Sequence, residues 1–350
     1  MNAFDYERPS SFEDACRLLN EAGGRKKALA GGTDLLIKTK QKVIAPEGMI
    51  SLRDIPGLSD LSFNPEKGLS IGAMTLLSDV EIADVVKERY PALAAAVATI
   101  GSTQVRNRAT IGGNICNAAP SADSLPILIA YGASVVIGVG KNEREVLLEE
   151  FFTGPGQTVL RVGELVKQVL VPTPPQNAFA IYIKAARSAL DIALVGVALF
   201  AVYEPSDEVI KDLKVVLAAV APTPVRSRQM ERVVIGNRLD HTIIEKAVGE
   251  SCTDACSITD VRTTEGYRDT LVETYSRRAL EATISFTEPE ITLSPSPSAG
   301  PLSPIRLRPC TFLLQRFNAT GATWRRMYRS SFQIPFFRLR KRRRSFGPLL

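Results

Sequence analysis

The sequence has few of the residues on which most hydrolytic and metal centres depend. It contains a single histidine, His241, so a histidine-based metal site or a Ser-His-Asp relay would have to use that residue alone. Its cysteines are scattered and odd in number, which is typical of reduced thiols rather than of a disulfide framework. They are Cys16, Cys116, Cys252, Cys256 and Cys310. The composition therefore disfavours most hydrolase mechanisms.

Long hydrophobic runs are also missing. The longest candidate, residues 125–140, is interrupted by Pro126 and three glycines, and residues 1–8 lack a signal-peptide core. We therefore expect a cytoplasmic protein with no membrane partner. With 350 residues, of which 45% are apolar, the chain is long enough for two or three domains.

The net charge of +6 is distributed unevenly along the chain. Residues 285–350 contain eleven arginines, one lysine and two acids, a balance of +10, whereas residues 1–284 carry −4. This basic segment is rich in proline and serine. Its arginines, together with the aromatic residues near them, could bind nucleic acid or an anionic membrane surface. Because no helical or strand period persists in it, we favour a disordered tail and expect no nucleic-acid partner.

Residues 1–175 alternate between helix and strand patterns. Ser10 has capping-box spacing ahead of a helix whose apolar face ends at Gly23-Gly24, and a strand over 27–30 follows. Further strands are predicted over 69–73 and 133–139. Ser78 is expected to cap a helix that runs to Arg89, Pro91 to open the next, and Ser121 to cap a helix over 122–131.

The pattern changes after the prolines of residues 172–175. Three strand-like runs, 178–185, 193–203 and 213–220, follow one another without helices between them, which favours antiparallel pairing. Helical segments are then predicted over 225–235, 242–250 and 265–283. We therefore expect a domain over 1–175, with subdomains of about 1–58 and 59–175, an α+β domain over 176–284 and the tail over 285–350.

Two glycine pairs stand out, Ala-Gly-Gly-Thr-Asp at 30–34 and Thr-Ile-Gly-Gly-Asn at 110–114. Glycine lets backbone N–H groups approach an anion closely, so two such loops could hold one pyrophosphate. Each pair could equally serve only as a tight turn. A Rossmann fingerprint is missing, because Gly138-Val139-Gly140 has Glu143 where the third glycine belongs, and no P-loop occurs.

Longer segments around these loops carry a family resemblance. Residues 30–36 read Ala-Gly-Gly-Thr-Asp-Leu-Leu, residues 109–117 read Ala-Thr-Ile-Gly-Gly-Asn-Ile-Cys-Asn, and residues 120–124 read Pro-Ser-Ala-Asp-Ser. Shorter matches lie at 104–107, 152–156, 184–187, 191–193 and 221–226. From about residue 4 to about residue 284, the chain resembles the FAD-binding subunit of molybdenum hydroxylases, most closely that of bacterial xanthine dehydrogenases.

The resemblance implies an α+β fold. A two-subdomain FAD-binding domain of the vanillyl-alcohol-oxidase (PCMH) type would precede a C-terminal α+β domain with an antiparallel sheet and helices. It also implies two main-chain cradles for the FAD pyrophosphate. Their residues would be Leu29, Ala30, Gly31, Gly32, Thr33, Asp34 and Leu35 in the first, and Thr110, Ile111, Gly112, Gly113 and Asn114 in the second.

Three further cofactor contacts are implied only by the resemblance. Asp123 would be a polar contact to FAD, and Leu165 and Lys184 would lie near the isoalloxazine ring or the ribityl chain. The residues by themselves favour other roles. Asp123 is equally well explained as a first-turn helix acid, Leu165 as a core residue and Lys184 as a solvent-facing strand residue.

The function implied is an FAD-carrying oxidoreductase subunit of a xanthine dehydrogenase-like complex of purine metabolism. It would take electrons from the [2Fe-2S] small subunit and pass them to NAD or another acceptor, while a molybdenum-cofactor large subunit hydroxylates the substrate. No catalytic residue and no metal ligand is expected from this chain. The alternatives are a self-contained FAD-dependent oxidase of the same fold and the flavoprotein subunit of a carbon-monoxide, nicotinate or aromatic-CoA dehydrogenase. A scaffold that binds nucleic acid through its tail is a third.

The remaining residues of interest have simple interpretations. We expect Cys116 to be an inert buried thiol, His241 to lie at the surface, and Cys252 and Cys256 to be thiols without a metal. Arg106 and Arg108 could hold a phosphate or an acid on a neighbouring subunit, but solvated charges are the simpler prediction.

Overall fold

The computed structural model describes residues 3–140, 142–204 and 208–287, with side chains to residue 284 in the last helix. Its N-terminal part is a three-stranded parallel sheet of order β1-β3-β2. Helix α1 is capped by Ser11, whose side chain accepts a hydrogen bond from the Asp14 amide, so the predicted cap at Ser10 was wrong by one residue. The elements are β1 (Asp5–Glu7), α1 (Phe12–Glu21), β2 (Lys26–Leu29), α2 (Leu35–Lys40) and β3 (Gly48–Ser51).

The second part is built on a five-stranded antiparallel sheet of order β4-β5-β10-β6-β7, covered by short helices. Its strands are β4 (Leu61–Asn64), β5 (Gly68–Gly72), β6 (Ser134–Val139), β7 (Asn142–Leu147) and β10 (Leu165–Val171), with β8 (Phe152–Gly154) and β9 (Gln157–Thr158) forming a separate pair. Its helices are α3 (Leu77–Ile82), α4 (Asp84–Arg89), α5 (Pro91–Ala98), α6 (Thr103–Arg106), α7 (Ile111–Asn117), α8 (Ser124–Ala130) and α9 (Leu148–Phe151).

Two of the predicted helix starts in this part were wrong. The helix predicted over 78–89 is two helices, because Ala83 between α3 and α4 has a ψ of 126° that interrupts the helical backbone. Ser78 lies inside α3 and caps neither. The helix expected to follow Ser121 begins only at Ser124, after Asp123 in the N-cap position.

The C-terminal domain has a four-stranded antiparallel sheet of order β11-β12-β13-β14, as the succession of strand-like runs predicted. Residues 225–226, predicted to begin a helix, instead form the edge strand paired with β13. The elements are β11 (Ala178–Ala185), β12 (Val195–Tyr203), β13 (Ile210–Ala218), β14 (Val225–Arg226), α10 (Arg228–Val234), α11 (His241–Gly249) and α12 (Glu265–Thr287).

Strand β12 is buried on both faces and joins the two main cores. Ala198 and Phe200 pack into the core of the five-stranded sheet, whereas Val197 and Leu199 pack into the core under α10, α11 and α12. This alternation follows from the period of two along a strand. Helix α8 contacts both β12 and β13, so this helix of the second part packs against the C-terminal domain.

Among the residues that the structure describes, no helix is long and apolar enough to cross a membrane. The predicted basic tail lies, from residue 288 onward, outside the described residues.

Candidate functional site: a cleft between two glycine loops

A cleft of about 540 Å³ lies between the three-stranded and the five-stranded sheet parts. This volume is within the range of pockets that hold small molecules and cofactors. Its lining includes residues of β2, the loop after it and α2 from the first part, and residues within 109–117 and 160–166 from the second part. Both glycine loops therefore line the same cleft, although they belong to parts of the chain that are built on different sheets.

The first loop, residues 30–34, presents free backbone donors. Among the described residues, none of the amides of Gly31, Gly32, Thr33 and Asp34 has a hydrogen-bond acceptor in the protein. Gly32 has a φ of +77°, which a residue with a side chain adopts only with strain. Four consecutive N–H groups without a protein acceptor, in a glycine loop that lines the cleft, are available as donors to an anion such as a phosphate.

The second loop, residues 110–114, is organised differently. Thr110 is the N-cap of α7, and every following amide to Asn114 already has an acceptor inside the protein. The hydrogen bonds run from Ile111 to the Thr75 carbonyl (3.0 Å), from Gly112 to the Ala73 carbonyl (2.9 Å), from Gly113 to the Thr110 hydroxyl (3.1 Å) and from Asn114 to the Thr110 carbonyl (2.9 Å).

Glycine at both loops allows close packing. A Cβ on Gly31 would lie 2.1 Å from the Arg108 carbonyl oxygen, and one on Gly112 would lie 2.6 Å from atoms of Ala73. A Cβ on Gly113 would be 3.5 Å from the Cβ of Ala30, which belongs to the other loop. The two loops are thus in direct contact, and glycine is needed where their backbones approach each other.

Basic side chains add positive charge to the cleft. Lys27, Lys38 and Arg161 line it, and the Lys38 ammonium donates a hydrogen bond to the Asn117 side-chain oxygen at 2.7 Å. This bond joins α2, which follows the first loop, to α7, whose first turn contains the glycines of the second loop. These basic residues were not predicted from the sequence, because lysines and arginines at such positions do not differ in pattern from ordinary solvated ones.

Asp123 and Lys184 form a buried pair outside the lining of the cleft. The Lys184 ammonium lies 2.9 Å from Oδ2 of Asp123 and 3.0 Å from the Thr99 carbonyl oxygen, while the Tyr182 hydroxyl donates to Oδ1 of Asp123 at 2.7 Å. Burial raises the pKa of Asp123, and Lys184 and Tyr182 act in the opposite direction. Lys184 is therefore not solvent-facing, because Asp123 compensates its charge inside the protein.

The structure brings most of the sequence-predicted site residues together. Leu29 and Ile111 lie beside the loops without lining the cleft, and Ile111 is fully buried in the core. Asp123 and Lys184 do not line the cleft. The predicted residues that line the cleft are Ala30, Gly31, Gly32, Thr33, Asp34, Leu35, Thr110, Gly112, Gly113, Asn114 and Leu165.

Three other predictions concern single residues. Burial raises the pKa of Cys116, which lines the cleft, to about 12, so its thiol is protonated at neutral pH. Arg106 is buried and bonded to Glu81 at 2.6 Å, so the prediction of a solvated charge was wrong there. His241 is exposed as expected, with 88% of its side chain accessible.

The paired glycine loops, the cleft between the two sheet parts and the antiparallel C-terminal sheet together have the features of a cofactor-binding protein. A family model described as "FAD binding domain in molybdopterin dehydrogenase" matches residues 2–174, and "CO dehydrogenase flavoprotein C-terminal domain" matches residues 180–283. The chain belongs to this family of molybdopterin dehydrogenase flavoproteins. It is an oxidoreductase chain, and its cofactor is FAD.

Curated relatives match nearly over their full lengths. The chain is 33% identical over 280 residues to the glyceraldehyde dehydrogenase medium chain of Sulfolobus acidocaldarius, covering 79% of this chain and 97% of that one. It is 29% identical over 283 residues to the xanthine dehydrogenase FAD-binding subunit of Escherichia coli O157:H7, covering 80% and 96%.

A solved structure gives the same result for the fold. Carbon monoxide dehydrogenase from Hydrogenophaga pseudoflava is similar with a TM-score of 0.78 and 30% identity, over 81% of this chain and 98% of that chain. The predicted fold class, an FAD-binding domain followed by a C-terminal domain with an antiparallel sheet, is confirmed by this match.

The residues of the cleft fit an FAD diphosphate. The fit rests on the four unpaired amides of residues 31–34, on the glycine positions that a Cβ would fill, and on the basic lining. Within the described part of the chain, no group of three or more His, Cys, Asp or Glu side chains could hold a metal ion.

Proposed function

We propose that this chain is the FAD-carrying electron-transfer subunit of a molybdenum hydroxylase complex. It takes electrons from a [2Fe-2S] subunit and passes them to NAD or another soluble acceptor, while a molybdenum-cofactor subunit oxidises the substrate. Within this class, a xanthine dehydrogenase-like complex with NAD as acceptor remains our specific prediction. The names of relatives support the class: they are subunits of dehydrogenases for glyceraldehyde, carbon monoxide and xanthine.

One observation carries the proposal. Two glycine loops from separate subdomains meet at a single cleft, and the first of them keeps four consecutive amides free for a ligand. An anion held by N–H groups of fixed geometry is bound without any reorganisation of the loop. The diphosphate of an extended dinucleotide supplies such an anion at its centre.

The residues of the chain bind and orient, and the bound FAD supplies the redox chemistry by accepting electrons singly and releasing them as a pair. Residues 31–34 and 110–114 would hold the diphosphate, the first set through amides and the second through side chains and close packing. Lys27, Lys38 and Arg161 would balance its negative charge. Leu165, on the cleft wall, would exclude water from the bound cofactor.

The proposal is tested on the native complex purified through this chain. We expect co-purification of two further subunits, one FAD released by acid per copy of this chain, and molybdenum and iron in the same fraction. A complex that contains FAD but no molybdenum or iron would contradict the electron-transfer role and favour a self-contained oxidase. A complex with molybdenum and iron but without FAD would contradict the assignment of the cleft.

The electron acceptor is tested with the same preparation. Purines, aldehydes and carbon monoxide are offered in turn as reductants, and the reduction of NAD is compared with that of an artificial dye. We expect NAD to be reduced with a purine. Dye reduction without NAD reduction would contradict NAD as the acceptor and leave the FAD assignment intact.

A further inference from the structure

The Asp123 carboxylate is held by two donors that come from the same strand of another domain. Tyr182 and Lys184 are two residues apart on β11, so their side chains point to the same face of the sheet. The Tyr182 hydroxyl reaches Oδ1 at 2.7 Å and the Lys184 ammonium reaches Oδ2 at 2.9 Å. Each carboxylate oxygen therefore has its own donor, and the contact spans about sixty residues of sequence.

The neighbouring strand leaves space for the Tyr182 side chain. Gly196 of β12 lies beside it, and a Cβ at Gly196 would be 2.8 Å from the Tyr182 hydroxyl oxygen and 3.2 Å from its ring. A strand interior ordinarily disfavours glycine, which leaves a gap in the packing and costs backbone entropy. Here the Tyr182 side chain fills the gap. Gly196 therefore leaves the space in which the Tyr182 hydroxyl reaches Asp123.

Two further residues link Asp123 to the cleft. Asp123 directly precedes Ser124, whose hydroxyl donates to the Asn114 side-chain oxygen at 2.6 Å. Asn114 is the last residue of the second glycine loop and lines the cleft. A chain of bonded residues thus runs from the C-terminal domain through Asp123 and Ser124 to the wall on which the cofactor is expected.

We propose that Tyr182 is a positioning residue of the cofactor site: its hydroxyl holds the Asp123 carboxylate and thereby fixes the Ser124–Asn114 contact at the cleft wall. The inference rests on the proposed function, because its readout is FAD bound in this cleft. The C-terminal domain, in this account, completes the cofactor site by orienting residues of the FAD-binding domain.

The test compares Tyr182→Phe with a matched control in the full-length chain. Tyr203→Phe is that control, because Tyr203 is a buried tyrosine on β12 whose hydroxyl also donates to a protein oxygen, the Thr283 carbonyl. FAD is removed, and the dissociation constant is measured by flavin fluorescence. We expect about a tenfold weaker affinity for Tyr182→Phe, the effect of losing one hydrogen bond to a charged group, and less than a twofold change for the control.

The pH profile separates positioning from a merely structural role. Tyr182 and Lys184 are the ionisable groups that contact Asp123 among the described residues, and both lower its pKa against the effect of burial. If the carboxylate supports FAD binding, affinity falls as pH decreases through this pKa. Removing the hydroxyl raises the pKa of Asp123, so the fall should begin at a higher pH in Tyr182→Phe than in the wild type or the control.

A second variant disturbs the Tyr182 hydroxyl without changing Tyr182 itself. Gly196→Ala puts its Cβ against the Tyr182 hydroxyl and should weaken FAD binding in the same direction. Because both changes act on one hydroxyl, the double variant should be no weaker than the worse single variant.

The proposal is overturned if Tyr182→Phe matches Tyr203→Phe in both affinity and pH profile, or if the effects of Tyr182→Phe and Gly196→Ala add in full. A wild-type chain that binds no FAD would instead overturn the proposed function on which the inference rests.

Discussion

The two glycine loops share a sequence pattern but use it for different physical purposes. In residues 30–34 the glycines leave four amides without an acceptor and Gly32 in the left-handed region. In residues 110–114 the corresponding amides are all paired, and the glycines instead let α7 approach Ala73. The same pair of residues thus builds a loop with free backbone donors in one place and a tightly packed helix start in the other.

This difference indicates how the cleft is constructed. The second loop is a rigid platform fixed by Thr110, Thr75 and Ala73, and the first loop lies against it and offers its donors. Substitutions that affect the first loop should therefore change FAD binding most, whereas substitutions that affect the second should change folding stability most.

The largest effect is expected for Gly31→Ala. Its Cβ would overlap the Arg108 carbonyl oxygen and the Ala109 Cα, which are backbone atoms of the segment directly before the second loop. We expect FAD affinity to fall by more than about tenfold and the free energy of unfolding by about 1–3 kcal/mol. Flavin fluorescence and urea unfolding measure the two effects.

The control for this change is Gly249→Ala, since Gly249 ends α11 with open space around its Cβ position. Alanine there should leave FAD affinity unchanged. An unaltered affinity in Gly31→Ala would show that the two loops do not have to touch for the cofactor to bind.

Gly112→Ala should affect stability more than binding. The added Cβ would lie 2.6 Å from both the Cβ and the carbonyl oxygen of Ala73. We expect the FAD-free protein to lose about 1–3 kcal/mol of unfolding free energy. The remaining folded fraction should bind FAD better than Gly31→Ala does. If Gly112→Ala abolishes binding while stability is unchanged, the platform role of the second loop is wrong.

Thr110→Val should have a smaller effect of the same kind. It keeps the shape of the side chain but removes the hydroxyl that accepts the Gly113 amide, so a cap of α7 is lost. The expected loss is about 1 kcal/mol of unfolding free energy, measured by urea unfolding without FAD. A stability equal to that of the wild type would indicate that another group accepts this amide.

The smallest effect is expected for Lys38→Met. The change removes one positive charge from the cleft and the hydrogen bond to Asn117. We expect about threefold weaker FAD binding, with less dependence on salt concentration than in the wild type. Lys40→Met is the control, because Lys40 is exposed in the same helix and does not line the cleft. Equal effects of the two variants would contradict a specific role for Lys38.

Local patterns were sufficient to predict much of the fold. The apolar face of α1 and the three long strands of the C-terminal domain follow directly from helical and strand periods, and the structure confirms them. The break at Ala83 was missed, because neither glycine nor proline marks it. Strand β7 was missed because its residues are largely charged and exposed at an edge of the sheet.

Only part of the site could be predicted from the sequence, because the hydrogen bonds of a loop depend on groups elsewhere in the chain. That glycines occur at 31, 32, 112 and 113 is visible in the sequence, but whether their amides are free depends on carbonyl groups elsewhere in the chain. Two of the four acceptors for the second loop are carbonyl groups of residues 73 and 75, which the local sequence does not reveal, and the other two belong to Thr110. Likewise, the burial of Lys184 depends on its ion pair with Asp123, which lies 61 residues away along the chain. The local sequence does not reveal this partner, so Lys184 was predicted to face solvent.

Hydrogen–deuterium exchange of the full-length chain with and without FAD tests the central claim most directly. The account predicts that FAD slows exchange of the amides of residues 31–34, which lack protein acceptors, while those of residues 111–114 are already slow and change little. Protection that appears elsewhere, with the exchange of residues 31–34 unchanged by FAD, would contradict it.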